Sequence, residues 1–158
     1  MQQAIRNYSY RGGKILAFFD IAAEAPRIFA PVSQTLSPSD YGNLPESWGF
    51  RFFDNMVVAD LGNSSTIDAT NFKDNPTFAQ DLIQFYLKEP NFNHDFKETA
   101  LLKKMMLTSA GIFAPQKDAP IYFVPLLQAG PISELLPAEV VYNNLHPAEI
   151  LRHFEKDS

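Results

Sequence analysis

Three apolar runs end in aspartate: Phe18-Phe19-Asp20, Phe52-Phe53-Asp54 and Val57-Val58-Ala59-Asp60. Carboxylates gathered at one end of a sheet are the oxygen ligands that Mg²⁺ or Ca²⁺ takes, and such a centre suits phosphoester hydrolysis. The order of these runs works against it. Asp54 and Asp60 bracket a single strand and so fall at its opposite ends, and aspartate commonly terminates strands because its side chain bonds its own backbone. Strand termination is the simpler expectation, and no metal site is assigned.

Histidine offers two further spacings. His146, Glu149 and His153 share one helix face, but i to i+7 spans about 10.5 Å along the axis, too far for both rings to hold one ion. His94 and Glu98 have the i, i+4 spacing that helical metal sites use, with no third ligand nearby in sequence. Solvated helix faces account for both sets. Cysteine is absent, which removes disulfides, thiolate metal sites and a cysteine nucleophile. The chain also lacks the Gly-x-Ser-x-Gly, Ser-x-x-Lys, Gly-x-x-x-x-Gly-Lys and Gly-x-Gly-x-x-Gly patterns, so nothing designates a nucleophile, a nucleotide site or a cofactor. Arg11-Gly12-Gly13-Lys14 resembles a phosphate-binding turn, but no helix is predicted to follow it.

What remains is surface chemistry. Tyr41, Trp48 and Arg51 are residue types enriched at protein interfaces, where rigid aromatic rings bury area at small entropic cost. Trp48, Phe50 and Phe52 share one face of a strand, with Arg51 and Phe53 on the other. Phe50 and Phe52 are expected in the core, leaving Tyr41, Trp48 and Arg51 as the candidate binding residues.

Composition narrows the classes. The chain of 158 residues is 46% hydrophobic and 20% charged, with a net charge of -5, which is globular and long enough for one domain, 1–158. An acidic balance gives no general attraction to phosphate backbones, and Arg6, Arg11 and Lys14 make a weak nucleic-acid footprint. No apolar run approaches the ~20 residues that span a bilayer, and the first residues lack the order of a secretory leader. The expectation is a cytoplasmic protein acting on neither nucleic acid nor membrane.

The elements that must position these residues are read from periodicity and turn chemistry. Ile5 to Arg11 and Lys14 to Asp20, joined by Gly12-Gly13, predict a hairpin. Arg27 to Val32, interrupted by Pro31, predicts an edge strand, and 33–47 a long loop. Trp48 to Asp60 predicts a second hairpin turning at Asp54-Asn55. Asn75-Pro76 opens a helix to about Lys88 with Phe78, Leu82, Phe85 and Tyr86 at helical spacing; Asn93 opens another, His94 to Ala110, ended by Gly111. Ile121 to Val124, Leu126-Leu127 and Val140 to Tyr142 predict short strands. Pro147 starts a C-terminal helix, with Leu145 and Ile150 at hydrophobic-staple spacing.

Together these predict an α+β fold: an antiparallel sheet of about five to seven strands built from hairpins, covered by a helical hairpin over 76–110 and a C-terminal helix near an edge. The function expected is a non-enzymatic protein-interaction module, an adaptor or inhibitor, using the aromatic hairpin and the adjoining loop. A small metal-assisted hydrolase using the strand-end aspartates is the alternative. A homo-oligomer pairing through an edge strand is the third.

Overall fold

A computed structural model describes residues 2–22, 41–68, 78–143 and 146–157, and the edge strand expected over 27–32 lies outside them. The fold is α+β, with antiparallel strands that form three small sheets among the described residues. Among the described residues no helix is long and apolar enough to cross a membrane.

The strand β4, Phe78–Lys88, is the largest departure from expectation, because this segment carries helical periodicity. Its pairing with β3, Ser64–Asp68, explains why. Ser64 lies opposite Phe85 but Ser65 opposite Asp81, so Leu82, Ile83 and Gln84 bulge out of the ladder. The Asp81 carboxylate accepts the N–H groups of Ile83 and Gln84, each at 3.2 Å, and thereby holds the bulge. Buried Leu82, Phe85 and Leu87 are consequently spaced three residues and then two, because a bulge breaks the period of two that marks a strand. Burial raises the Asp81 pKa, and the two N–H groups partly offset the rise.

The second expected helix is also β-structure. Strand β5, Lys104–Thr108, pairs antiparallel with β4, from Lys88 opposite Lys104 to Gln84 opposite Thr108. The helical hairpin over 76–110 is therefore a β-hairpin with a long connection, which opens with a 3₁₀ turn at Glu89–Asn91. Asn93 does cap, but it accepts the Asp95 N–H in a turn, and its carbonyl takes the Thr99 hydroxyl.

The Trp48–Asp60 segment turns at Asp54-Asn55 as expected, but its two strands do not pair with each other. Strand β1, Phe50–Phe52, pairs with β6, Phe113–Pro115, while β2, Met56–Asp60, pairs with β7, Ser133–Pro137. β2 is buried on both faces: Val57 and Ala59 join a core with Ile21, Phe52, Leu82, Leu136, Ile150 and Phe154, whereas Val58 joins a second core with Phe85, Leu87 and Phe92. A strand so placed gains about 1.5–3 kcal/mol for each large side chain it buries. Two-sided burial calls for neighbours that one hairpin partner cannot supply.

The ends of the chain divide similarly. Residues Gln2–Tyr10 form helix α1, not a strand. Gly12, at φ 81°, is the left-handed residue that stops it, with Gly12 and Gly13 N–H groups on the carbonyls of Ser9 and Tyr8; Gly-Gly is read equally well as a hairpin turn or a helix stop, since both need positive φ. Leu44–Ser47 form one helical turn, α2, within the expected loop. No strand forms over 121–127 beyond a bridge between Leu127 and Phe92. Val140–Tyr142 lies in a short helix, α3, Glu139–Tyr142. Helix α4, Pro147–Asp157, begins where expected, capped by His146 Nδ1, which accepts the Ala148 N–H at 3.1 Å. Leu145 of the expected staple is outside the described residues. α4 lays Ile150 and Phe154 against the core shared with Leu82 of β4, away from the expected sheet edge.

One buried carboxylate ties these parts together. Asp60, at the end of β2, has no solvent exposure and accepts three N–H groups: Asn63 N at 3.0 Å, Asn63 Nδ2 at 2.9 Å and Gly130 N at 2.7 Å. Gly130 is required there, because a Cβ would lie 2.7 Å from Asn63 Nδ2. Truncation would leave the buried Gly130 N–H and two half-buried Asn63 N–H groups without their acceptor, so Asp60→Ala is expected to destabilise the fold by about 3 kcal/mol. Denaturant unfolding checks this; an unchanged midpoint would refute the role given to Asp60.

Candidate functional site

β1 supplies an array of aromatic rings. Phe52 contacts Phe113 at 4.9 Å between centroids, Phe19 at 5.7 Å and Tyr41 edge-on at 5.4 Å. Phe19 in turn meets Tyr41 edge-on at 5.0 Å. From Phe113 the contacts run to Phe50 at 5.5 Å, and from Phe50 to Trp48 at 6.0 Å and Phe123 at 6.3 Å. Edge-on and tilted pairs are the arrangements that ring quadrupoles favour. Gly111 lets this array close, since a Cβ there would lie 2.5 Å from the Phe52 ring.

The three candidate binding residues occupy different parts of this arrangement. Tyr41 and Trp48 stand at opposite ends of the run of ring contacts. Trp48 is half-buried, and its indole N–H donates to Ser9 Oγ at 3.0 Å, which fastens α1 to the Trp48 turn. Arg51 is exposed on the other face of β1, its guanidinium 4.5 Å from the Phe53 ring centroid. The division of faces read from alternation is thus present: Trp48, Phe50 and Phe52 on one side, Arg51 and Phe53 on the other.

Sequence reasoning gave no role to the rim around Trp48. Tyr10 donates its hydroxyl to the Ser47 carbonyl, and Gly49, at φ 89°, is packed by Ala119 and Ile121. Tyr122, the residue after Ile121, is 93% exposed. The run Ile121-Tyr122-Phe123 signalled a strand, which hid the outward Tyr122.

Of the three strand-end aspartates, the structure brings two into one neighbourhood. Tyr41 lies near Asp54, and burial first and the neighbouring carboxylate next push its phenol from the ordinary value of 10.0 up to about 12. Tyr142 donates to the Ile21 carbonyl at 2.9 Å, and its pKa is raised by burial and then by the charges of Asp54 and Asp20. Asp54, Asn55, Ala138, Glu139 and Tyr142 line an open depression of about 260 Å³. Asp60 belongs to the separate buried network, so the three carboxylates do not converge. Among the described residues no group of three or more His, Asp or Glu side chains is arranged to hold a metal ion.

The histidine spacings dissolve in the fold. His94 lies in a turn, with Nε2 at 2.9 Å from the Glu89 carbonyl and Nδ1 at 3.1 Å from the Ala100 carbonyl. Two acceptors favour the doubly protonated ring, and they raise its pKa, the Glu89 carbonyl most. Lys103 forms an ion pair with Glu89 at 2.9 Å and lowers its pKa. His146 is the cap of α4, while Glu149 and His153 are exposed.

The raised phenol has a consequence in alkali. Because the folded pKa of Tyr41 exceeds the unfolded value, its stabilising contribution is complete below pH 10 and is lost as pH rises towards 12. Tyrosinate absorbance should show one step near 12 that Tyr41→Phe removes, and the stability difference between the two proteins should shrink across that window. Ionisation of all 6 tyrosines near the ordinary value would refute the Tyr41–Asp54 contact.

No curated protein and no solved structure matches this chain. The family model described as "ABC-type uncharacterized transport system" matches residues 1–158. The chain that carries this aromatic array therefore belongs to the ABC-type uncharacterized transport system family.

Proposed function

We propose that the chain is an auxiliary component of an ABC-type transport system that works by binding a protein partner, with residues 1–158 acting as one unit. The observation that carries this reading is the rim around Trp48. Tyr10, which donates to the Ser47 carbonyl, presents its ring to solvent next to a Trp48 held in place by Ser9, and Tyr122, which follows the Ile121 that packs on Gly49, is exposed as well; exposed aromatic side chains are what interfaces use as anchors. Arg51 extends the surface on the far side of β1, and Tyr41 joins the array edge-on to Phe19 and Phe52. Membership of a transport family supports a protein partner over an isolated hydrolase. The cytoplasmic placement drawn from composition is part of the proposal, and labelling of the native protein in intact cells by a membrane-impermeant reagent would overturn that part.

The test is retention of transporter subunits, identified by mass spectrometry, on the tagged protein after mild solubilisation of native membranes. Tyr122→Ala removes an exposed ring and leaves the core untouched. Loss of an anchor of this kind costs about 2 kcal/mol, or roughly thirtyfold in affinity. Trp48→Ala should act in the same direction. Equal retention by wild type, Tyr122→Ala and Trp48→Ala, all with native far-ultraviolet spectra, would overturn the assignment of this surface.

A further inference from the structure

We infer that the connection between β4 and β5, residues 89–103, is held closed by a proton on His94 and loosens when that proton leaves. The ring sits between two backbone acceptors from separate parts of the connection: Nε2 lies 2.9 Å from the Glu89 carbonyl and Nδ1 3.1 Å from the Ala100 carbonyl. A carbonyl oxygen only accepts. Both contacts are therefore hydrogen bonds only while both ring nitrogens carry hydrogen, which is the charged imidazolium. A neutral ring has one N–H, and its other nitrogen sets a lone pair against a carbonyl lone pair, so one side of the clamp must open. Because His94 is exposed, its proton exchanges directly with solvent and the clamp follows bulk pH in the range where histidine titrates.

The surroundings decide which half of the connection depends on this ring. Residues 91–93 are fastened from elsewhere: Phe92 is buried in the second core and bridges Leu127, Asn93 N–H donates to the Leu126 carbonyl at 2.9 Å, and the Asn91 carbonyl accepts Gln128 N–H at 3.0 Å. Residues 94–101 are held by their own turns, by the Thr99 hydroxyl on the Asn93 carbonyl and by His94. This is the piece that carries Leu101, 87% exposed. Two charged side chains act on the ring: the Glu89 carboxylate favours the imidazolium, and Lys103, itself paired with Glu89 at 2.9 Å, opposes it. Asp95, Lys97 and Glu98 are exposed on the same connection, and Pro125–Gln128, packed against it, has no charged residue. The two carbonyls contribute most, so the ring titrates above the ordinary 6.5. With the folded value raised, the clamp is complete below pH 6.5 and is lost as pH rises through the raised value.

Amide exchange in the native protein, set against a titration of the ring nitrogens by NMR, tests the clamp. His94 should titrate above 6.5. Across the same midpoint the Ala100 and Leu102 amides, bonded to the Phe96 and Thr99 carbonyls, should lose about fivefold in protection, the effect of one hydrogen bond lost, after correction for the base dependence of intrinsic exchange. Val58 N–H, bonded to the Ala110 carbonyl at 2.8 Å, should keep its protection. Glutamine donates from one nitrogen only and cannot hold both carbonyls, so His94→Gln should show the lower protection at every pH. Glu89→Gln removes a charge that favours the imidazolium and keeps the backbone carbonyl, so the ring titration and the loop midpoint should move down in pH together. A side chain that merely packs would give no joint shift. Protection unchanged through the ring titration, wild-type protection in His94→Gln at low pH, or an equal fall at Val58 would each overturn the inference.

Discussion

A carboxylate removed from water must be met by donors, and the fold is arranged around Asp60, which is fully buried. Asp60 takes two N–H groups from Asn63 and one from Gly130, so the end of β2, the turn that follows it and the approach to β7 are held as one piece. This constraint fixes more than a loop. β2 runs between the two apolar cores, giving Val57 and Ala59 to one and Val58 to the other, and Asp60 stops that strand where β7 begins opposite it. Among the described residues the strands form three small sheets without a continuous ladder; their packing depends on β2 and β4 being buried between neighbours.

The aromatic array is the second organising feature, and it connects the core to the surface. Phe52 is buried with the large core, while its ring contacts lead through Phe113 and Phe50 to Trp48 at the rim. Trp48 is consequently held from within by rings and from outside by Ser9. A surface anchor of this kind loses little entropy when a partner arrives, which is the physical advantage of preorganised rings in recognition. At the other end Tyr41 couples the same array to Asp54, close to Tyr142 and its depression. The polar neighbourhood of Asp20, Asp54 and the two phenols is joined to the array, yet its carboxylates serve hydrogen bonds within the fold.

How much of this was legible depends on whether the deciding interaction is local. The start of α4 was readable at Pro147, because a proline at the first helical position followed by helical spacing acts within a few residues. The turn at Asp54-Asn55 and the separation of Trp48 from Arg51 on opposite faces were readable for the same reason. Gly12-Gly13 marked a chain break correctly, but positive φ is common to helix stops and hairpins and so could not say which. In β4 a local signal misled: Asp81 and its bulge convert alternation into a three-residue step, and Leu82 and Phe85 then resemble neighbours on a helix. β7 carried little signal of its own, since Ser133–Pro137 contains no β-branched or aromatic residue and becomes a strand only by pairing with β2.

The sequence by itself determined the α+β class, the C-terminal helix, the absence of thiol chemistry and the candidacy of Tyr41, Trp48 and Arg51, all of which follow from residue types and spacings over a few positions. Tertiary structure alone decided which strands pair, that Tyr41 and Trp48 lie on one array, that Asp54 and Tyr142 line one depression, and that Asp60 is held by Asn63 and Gly130. Those are contacts between residues up to 121 positions apart, the Tyr142 hydroxyl and the Ile21 carbonyl among them. Local periodicity carries no information about such contacts; they are set by which surfaces can be buried together.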